Sequence, residues 1–160
     1  MTEPVVHVID DDEAMRESIG FLLDTAGLAS RTYESAVAFL AQADSLAPGC
    51  IVTDIRMPEM SGLELARRLK DRGVPHPLIV ITGHGDVPLA VEAMKIGVAD
   101  FLEKPFDDDA LLNAVTACLN QQAESEQQAA DRRRFEEMLR TLSPRETEVL
   151  RGVVEGKPTR

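Results

Sequence analysis

The chain has no tryptophan, one tyrosine and two cysteines in 160 residues, and each shortage excludes something. With aromatics at 4%, there is no stacking platform for single-stranded nucleic acid. Cys50 and Cys118 lie far apart within apolar patterns, so they make neither a disulfide framework nor a thiolate metal cluster. They read as reduced core thiols. No run of 18 apolar residues occurs and no basic-then-apolar leader opens the chain, so the expected setting is cytoplasmic, with no membrane contact. Positive charge is also short: 17 basic side chains face 28 acidic ones, a net of -11. The imbalance sits entirely in residues 1–120, which carry 20 acidic and 9 basic side chains against 8 of each in residues 121–160. An acidic body repels DNA. Any nucleic-acid role is therefore expected in the tail or beyond it.

What the sequence does have is apolar patterning, with 44% hydrophobic residues. Four short runs each end in a polar group: Val5–Ile9 into Asp10-Asp11-Asp12, Cys50–Thr53 into Asp54, Leu78–Ile81 into Thr82, and Asp100–Glu103 into Lys104-Pro105. Such runs predict strands buried on both faces. A weaker run, Ala29–Tyr33, predicts a strand at the sheet edge. Helical spacing recurs between them: Met15, Ile19, Leu22, Leu23 and Ala26 before Gly27; Val37, Phe39 and Leu40 after the N-cap Ser35; Leu63, Leu65, Ala66 and Leu69 before Gly73. Leu89, Val91, Ala93 and Met94 mark a fourth helix, and Leu111, Leu112, Val115 and Leu119 a fifth beginning near Asp108. Strict alternation predicts an α/β fold, a doubly wound (βα)5 flavodoxin-like parallel sheet of order 2-1-3-4-5 with a C-terminal helical extension.

The pattern changes at residue 121. Residues 121–134 are rich in Gln, Glu, Ala and Arg without Gly or Pro, which fits either a helix continuing into solvent or a flexible linker. Phe135, Met138, Leu139 and Leu142 restore helical periodicity. Ser143-Pro144-Arg145-Glu146 then reads as a capped helix start.

If the strands are parallel neighbours, their carboxyl ends share the rim where open α/β sheets bind ligands. Asp11 and Asp54 would repel each other there without a cation, and Mg²⁺ suits few carboxylates, retained waters and a phosphate. Asp11 and Asp54 are expected as direct ligands, a carbonyl just past Asp54 as a third, and Asp10 as the holder of a water of the ion's shell. Asp12 and Glu13 read instead as an acidic first helical turn. Asp54 can accept a phosphoryl group as an acyl phosphate. Alone it could instead cap the following turn. Lys104 would neutralise a phosphoryl oxygen and Thr82 would donate to another.

The residues Val8-Ile9-Asp10-Asp11, Asp54-Ile55-Arg56-Met57-Pro58 with Ser61-Gly62, Ile81-Thr82-Gly83 and Lys104-Pro105-Phe106 together resemble a response-regulator receiver domain, and Thr82–Lys95 resembles the FixJ type in particular. The resemblance implies phosphorylation of Asp54 by a sensor histidine kinase, with Mg²⁺ on Asp11, Asp54 and the Arg56 carbonyl. It implies a CheY-like fold, a cis bond before Pro105, Phe101 as an aromatic switch, and a homodimer through the fourth-helix/fifth-strand face. Residues 142–160 resemble the opening of a LuxR-type helix-turn-helix domain. The expected division is therefore a receiver over 1–122, a helical linker over 123–141 and an incomplete DNA-binding domain over 142–160. On this view, DNA is reached only through a C-terminal module that continues past Arg160. A stand-alone receiver acting by protein contacts is the alternative. A phosphatase with an aspartate nucleophile is disfavoured, because Arg56 stands where haloacid-dehalogenase-type enzymes carry a second Asp. His84 and Arg56 flank the site and are expected to tune the lifetime of the acyl phosphate.

Overall fold

The computed structural model describes residues 4–83 and 85–141. Strands β1 (Val5–Ile9), β2 (Ala29–Tyr33), β3 (Gly49–Asp54), β4 (Leu78–Thr82) and β5 (Asp100–Glu103) alternate with helices α1 (Glu13–Thr25), α2 (Ala36–Leu40), α3 (Gly62–Asp71), α4 (Val87–Ile96) and α5 (Asp108–Thr141). The sheet is parallel throughout, in the order β2-β1-β3-β4-β5. Its register places Ile9 opposite Thr53, Asp54 opposite Ile81, and Thr82 opposite Glu103. The residues that follow the strands thus emerge along one edge.

Period-two alternation divides the core. Val6, Val8, Cys50, Val52, Ile79 and Ile81 face one layer with Ile19 and Leu23 of α1 and Leu111, Val115 and Cys118 of α5. Ile9, Ile51 and Val80 face the other with Phe39, Leu65 and Leu69. Each fully buried Leu, Ile, Val or Phe contributes about 1.5–3 kcal/mol by leaving water. Burial also holds both free thiols well above the ordinary cysteine range, Cys50 at about 12 and Cys118 at about 11, consistent with packing groups rather than nucleophiles.

Three helices open on side-chain caps, of which Ser35 is the one expected from the sequence. Asp12 accepts from Ala14 N–H, Ser35 from Ala38 N–H and Ser61 from Glu64 N–H. Two expectations need correction. β5 is not buried on both faces: Asp100, Phe101 and Glu103 are exposed, because the strand lies at the sheet edge with one ladder neighbour. In α4 the small residues Ala90 and Ala93 carry the packing, leaving Val91 and Met94 exposed.

The chain divides after Ala123 into two compact units. In the described part of the second, Gln127 donates to Asp131, Arg134 pairs with Asp131, and Phe135 and Met138 are exposed. Leu142, the Ser143–Glu146 cap and the helix expected after it lie outside the described residues. Among the described residues no helix is long and apolar enough to cross a membrane.

Candidate functional site

The carboxyl edge of the sheet gathers three carboxylates, a lysine and a threonine. Asp10 leaves β1 with its N–H on the Tyr33 carbonyl at 3.2 Å, which extends the β1–β2 ladder and fixes the direction of its side chain. Its Oδ1 accepts from Asp12 N–H at 2.9 Å, and its carbonyl accepts from Arg16 Nη1 at 2.8 Å. Asp54 ends β3, and Ile55 N–H continues that ladder to Ile81 O at 2.9 Å. Ligand oxygens of Asp10, Asp11 and Asp54 can lie within 4.8 Å of one another.

The surroundings of these acids are unequal. Asp10 is 1% exposed, and its Oδ2 has no hydrogen-bond partner among the described residues. Burial pushes its carboxyl above the ordinary aspartate range; the Asp12 N–H opposes this, and the Asp54 carboxylate adds to it. Asp11 is exposed at the mouth. Asp54 is 8% exposed, accepting from Arg56 N–H at 3.3 Å and from Lys104 Nζ at 3.4 Å. A buried acceptor without a partner costs about 1–3 kcal/mol. An oxygen-only cluster with one orphaned oxygen therefore fits a hard divalent cation. Asp12 stands outside the cluster, as expected, but it is the N-cap of α1 rather than part of its first turn.

Gly62 packs directly behind Asp54. A Cβ built there would stand 2.5 Å from the Asp54 carbonyl oxygen and 2.9 Å from Ile55 Cα. The close approach is held by Gly62 N–H on Ile55 O at 2.9 Å, so the start of α3 braces the backbone of the acidic residue. On the other flank, Lys104 N–H donates to Thr82 O at 2.8 Å, and the Lys104–Pro105 bond is cis. The Lys104 ammonium lies 3.4 Å from Asp54 Oδ2. Thr82 is buried, and its hydroxyl donates to the Leu102 carbonyl of β5 at 3.3 Å. Phe101, next in that strand, is 39% exposed and turned outward.

Arg56 does not cover Asp54. Its guanidinium forms a two-pronged pair with Asp86, Nε to Oδ2 and Nη2 to Oδ1, both at 2.8 Å. This pair was not legible as a pair, although Asp86 two residues before Pro88 is a helix-start signal. Sequence reading also passed over His7. Buried in β1, it bonds Tyr33 Oη at 3.0 Å through Nδ1 and donates Nε2–H to the Ala47 carbonyl at 3.1 Å. His84 lies outside the described residues.

The comparisons agree on one family. Residues 6–116 match the family described as the response regulator receiver domain. The transcriptional regulatory protein FixJ of Azorhizobium caulinodans is 56% identical over 151 residues, covering 94% of this chain and 72% of that protein. The crystal structure of FixJ-N aligns with a TM-score of 0.72 at 50% identity, over 75% of this chain and 96% of that one. Full-length FixJ from B. japonicum aligns with a TM-score of 0.75 at 45% identity, over 98% of this chain and 77% of that one.

Proposed function

This chain belongs to the response regulator receiver family and is of the FixJ type, and from that premise we propose that Asp54 is its phosphoacceptor. The observation that carries the proposal is the meeting of Asp10, Asp11 and Asp54 at the sheet's carboxyl edge with Lys104 Nζ 3.4 Å from Asp54. An Asp54 carboxylate oxygen attacks the phosphorus of a sensor kinase's phosphohistidine; the P–N bond breaks and an acyl phosphate forms. Asp11, Asp54 and the Arg56 carbonyl would hold Mg²⁺, and Asp10 would accept from a water bound to it. The ion supplies neutralisation of the charge that the phosphoryl group brings to three clustered acids. Lys104 moves from the carboxylate to a phosphoryl oxygen.

The modified state then differs from the resting one at Thr82. Its hydroxyl exchanges the Leu102 carbonyl for a phosphoryl oxygen, and Phe101 turns inward from its exposed position. Reversing a 1:99 population takes about 5.5 kcal/mol, whereas one charge-assisted hydrogen bond supplies about 1.5–3 kcal/mol. Thr82 also gives up an existing bond, so Lys104 and self-association must contribute. The surface for the latter is the α4–β5 face, where Val87, Val91, Met94 and Phe101 are all exposed.

The protein is thus a cytoplasmic signalling switch that loses its own phosphoryl group slowly and does not turn over exogenous substrates. Residues 1–122 form the receiver, 123–141 a helical linker and 142–160 the start of a LuxR-type DNA-binding domain. That module would give a transcriptional output, in keeping with relatives that are transcriptional regulatory proteins. Acetyl phosphate with Mg²⁺ tests the reading. A hydroxylamine-labile label that vanishes when the metal is chelated is expected, together with a shift from monomer to dimer in light scattering. A label indifferent to both hydroxylamine and chelation would refute it.

A further inference from the structure

We infer, building on the reading of Asp54 as phosphoacceptor, that the Arg56–Asp86 pair is a latch whose release passes the phosphorylation signal to the start of α4. Asp86 occupies the N-cap position of that helix, yet its side chain makes no capping bond. The caps of α1, α2 and α3 all do. Both Asp86 carboxylate oxygens are instead taken by the Arg56 guanidinium at 2.8 Å. A residue of the preferred capping type is therefore at the right place but engaged elsewhere.

The local backbone is ready for the alternative. Pro88 has no N–H, so the capping donor within reach is Leu89 N–H, which is held at 3.1 Å by the Asp86 carbonyl. The loop leading into Asp86 is tethered on its other side by Gly85 N–H on Glu103 Oε2 at 3.1 Å. Gly83 leaves room for the carboxylate to move, since a Cβ there would already stand 3.4 Å from Asp86 Oδ2.

A competitor for the guanidinium arises beside it. Arg56 N–H bonds Asp54 Oδ1, so the root of the arginine is fixed at the phosphoacceptor. A phosphoryl group there carries about -1.5 to -2 charge and three acceptor oxygens, against one charge on Asp86. Guanidinium binds phosphate through two parallel bonds as readily as it binds carboxylate. The existing pair is open to solvent on the arginine side, with 68% of that side chain exposed, so water can reach the guanidinium as it leaves Asp86. Transfer of Arg56 to the phosphoryl group frees Asp86 to cap α4. The next residue, Val87, begins the exposed face that also carries Val91 and Met94. Asp86 thus acts as a positioning residue, in parallel with Thr82.

The test is amide NMR with hydrogen exchange on the full chain, before and after acetyl phosphate and Mg²⁺, with intact mass measured on each sample. In unmodified Arg56→Ala, the Leu89 and Ala90 resonances should move most of the way toward the phosphorylated wild-type positions. Leu89 exchange should slow about fivefold or more. In Asp86→Ala the Leu89 exchange should not slow, with or without a phosphoryl group, and phosphorylation should leave only the part of the α4 shift that Thr82 drives. Arg56→Ala resonances that coincide with unmodified wild type, or a full α4 response in Asp86→Ala, would overturn the latch. A wild type that gains no phosphoryl mass refutes the phosphoacceptor reading instead, and the unmodified Arg56→Ala spectrum still decides whether the pair holds Asp86 off the helix.

Discussion

Gly62→Ala tests whether the start of α3 braces the phosphoacceptor. The added methyl would sit 2.5 Å from the Asp54 carbonyl oxygen, where 3.4 Å is the near edge of ordinary contact. Two further backbone atoms, Ile55 Cα at 2.9 Å and the Asp54 carbonyl carbon at 3.2 Å, close off the sideways escape. No flexible side chain can yield, so either α3 retreats or the turn after β3 moves. Overpacking of this kind costs about 1–3 kcal/mol. For a unit of this size, that lowers the melting temperature by about 3–12 °C. The displaced atoms are those of Asp54 itself, and a misplacement of about 1 Å at a reacting group can cost about a hundredfold in rate. The initial rate of acetyl-phosphate labelling should therefore fall about 10- to 100-fold. Gly20→Ala is the control: in mid-α1, its added methyl would meet only Ser30 Oγ at 3.9 Å. That variant should gain up to about 1 kcal/mol from helix propensity and label at the wild-type rate. A Gly62→Ala protein with wild-type melting and labelling would refute the bracing argument.

Asp10→Asn should raise stability in metal-free buffer, because the ionised group is buried with an orphaned oxygen; thermal melts should also show a smaller gain on adding Mg²⁺ than wild type shows. The buried His7 has its pKa held below the ordinary 6.5, chiefly by burial, so the unfolded chain takes up a proton first as pH falls. Urea unfolding should therefore show stability flat above about pH 6.5 and falling below it, with a slope from this group of at most about 1.4 kcal/mol per pH unit. A His7→Gln variant should lose that part of the slope. On α4, Met94→Asp places a charge on the exposed face without disturbing Ala90 or Ala93, and should leave labelling intact while abolishing the phosphorylation-dependent dimer in light scattering.

The fold was legible because alternating apolar runs and helix-start residues point the same way. Ser35 caps the helix its position announces, and the Val5–Ile9, Cys50–Thr53 and Leu78–Ile81 runs supply the three central strands. β5 misled because its two apolar residues, Phe101 and Leu102, lie in an edge strand with one ladder neighbour, where Phe101 stays exposed. Strand ends also announced which acids would meet, since parallel strands put their successors on one edge. What sequence could not reveal was choice among partners. Asp86 is both a cap and a carboxylate, and only the fold shows that Arg56, thirty positions away, has claimed it. His7 was hidden for a similar reason: a polar residue inside an apolar run declares itself only when Tyr33 and Ala47 arrive beside it.

The central claim is that one carboxylate, Asp54, receives the phosphoryl group. Intact-mass analysis after acetyl phosphate and Mg²⁺ tests it most directly. A gain of about 80 Da in wild type that disappears in Asp54→Ala is the expected result. A gain that survives the substitution would contradict it.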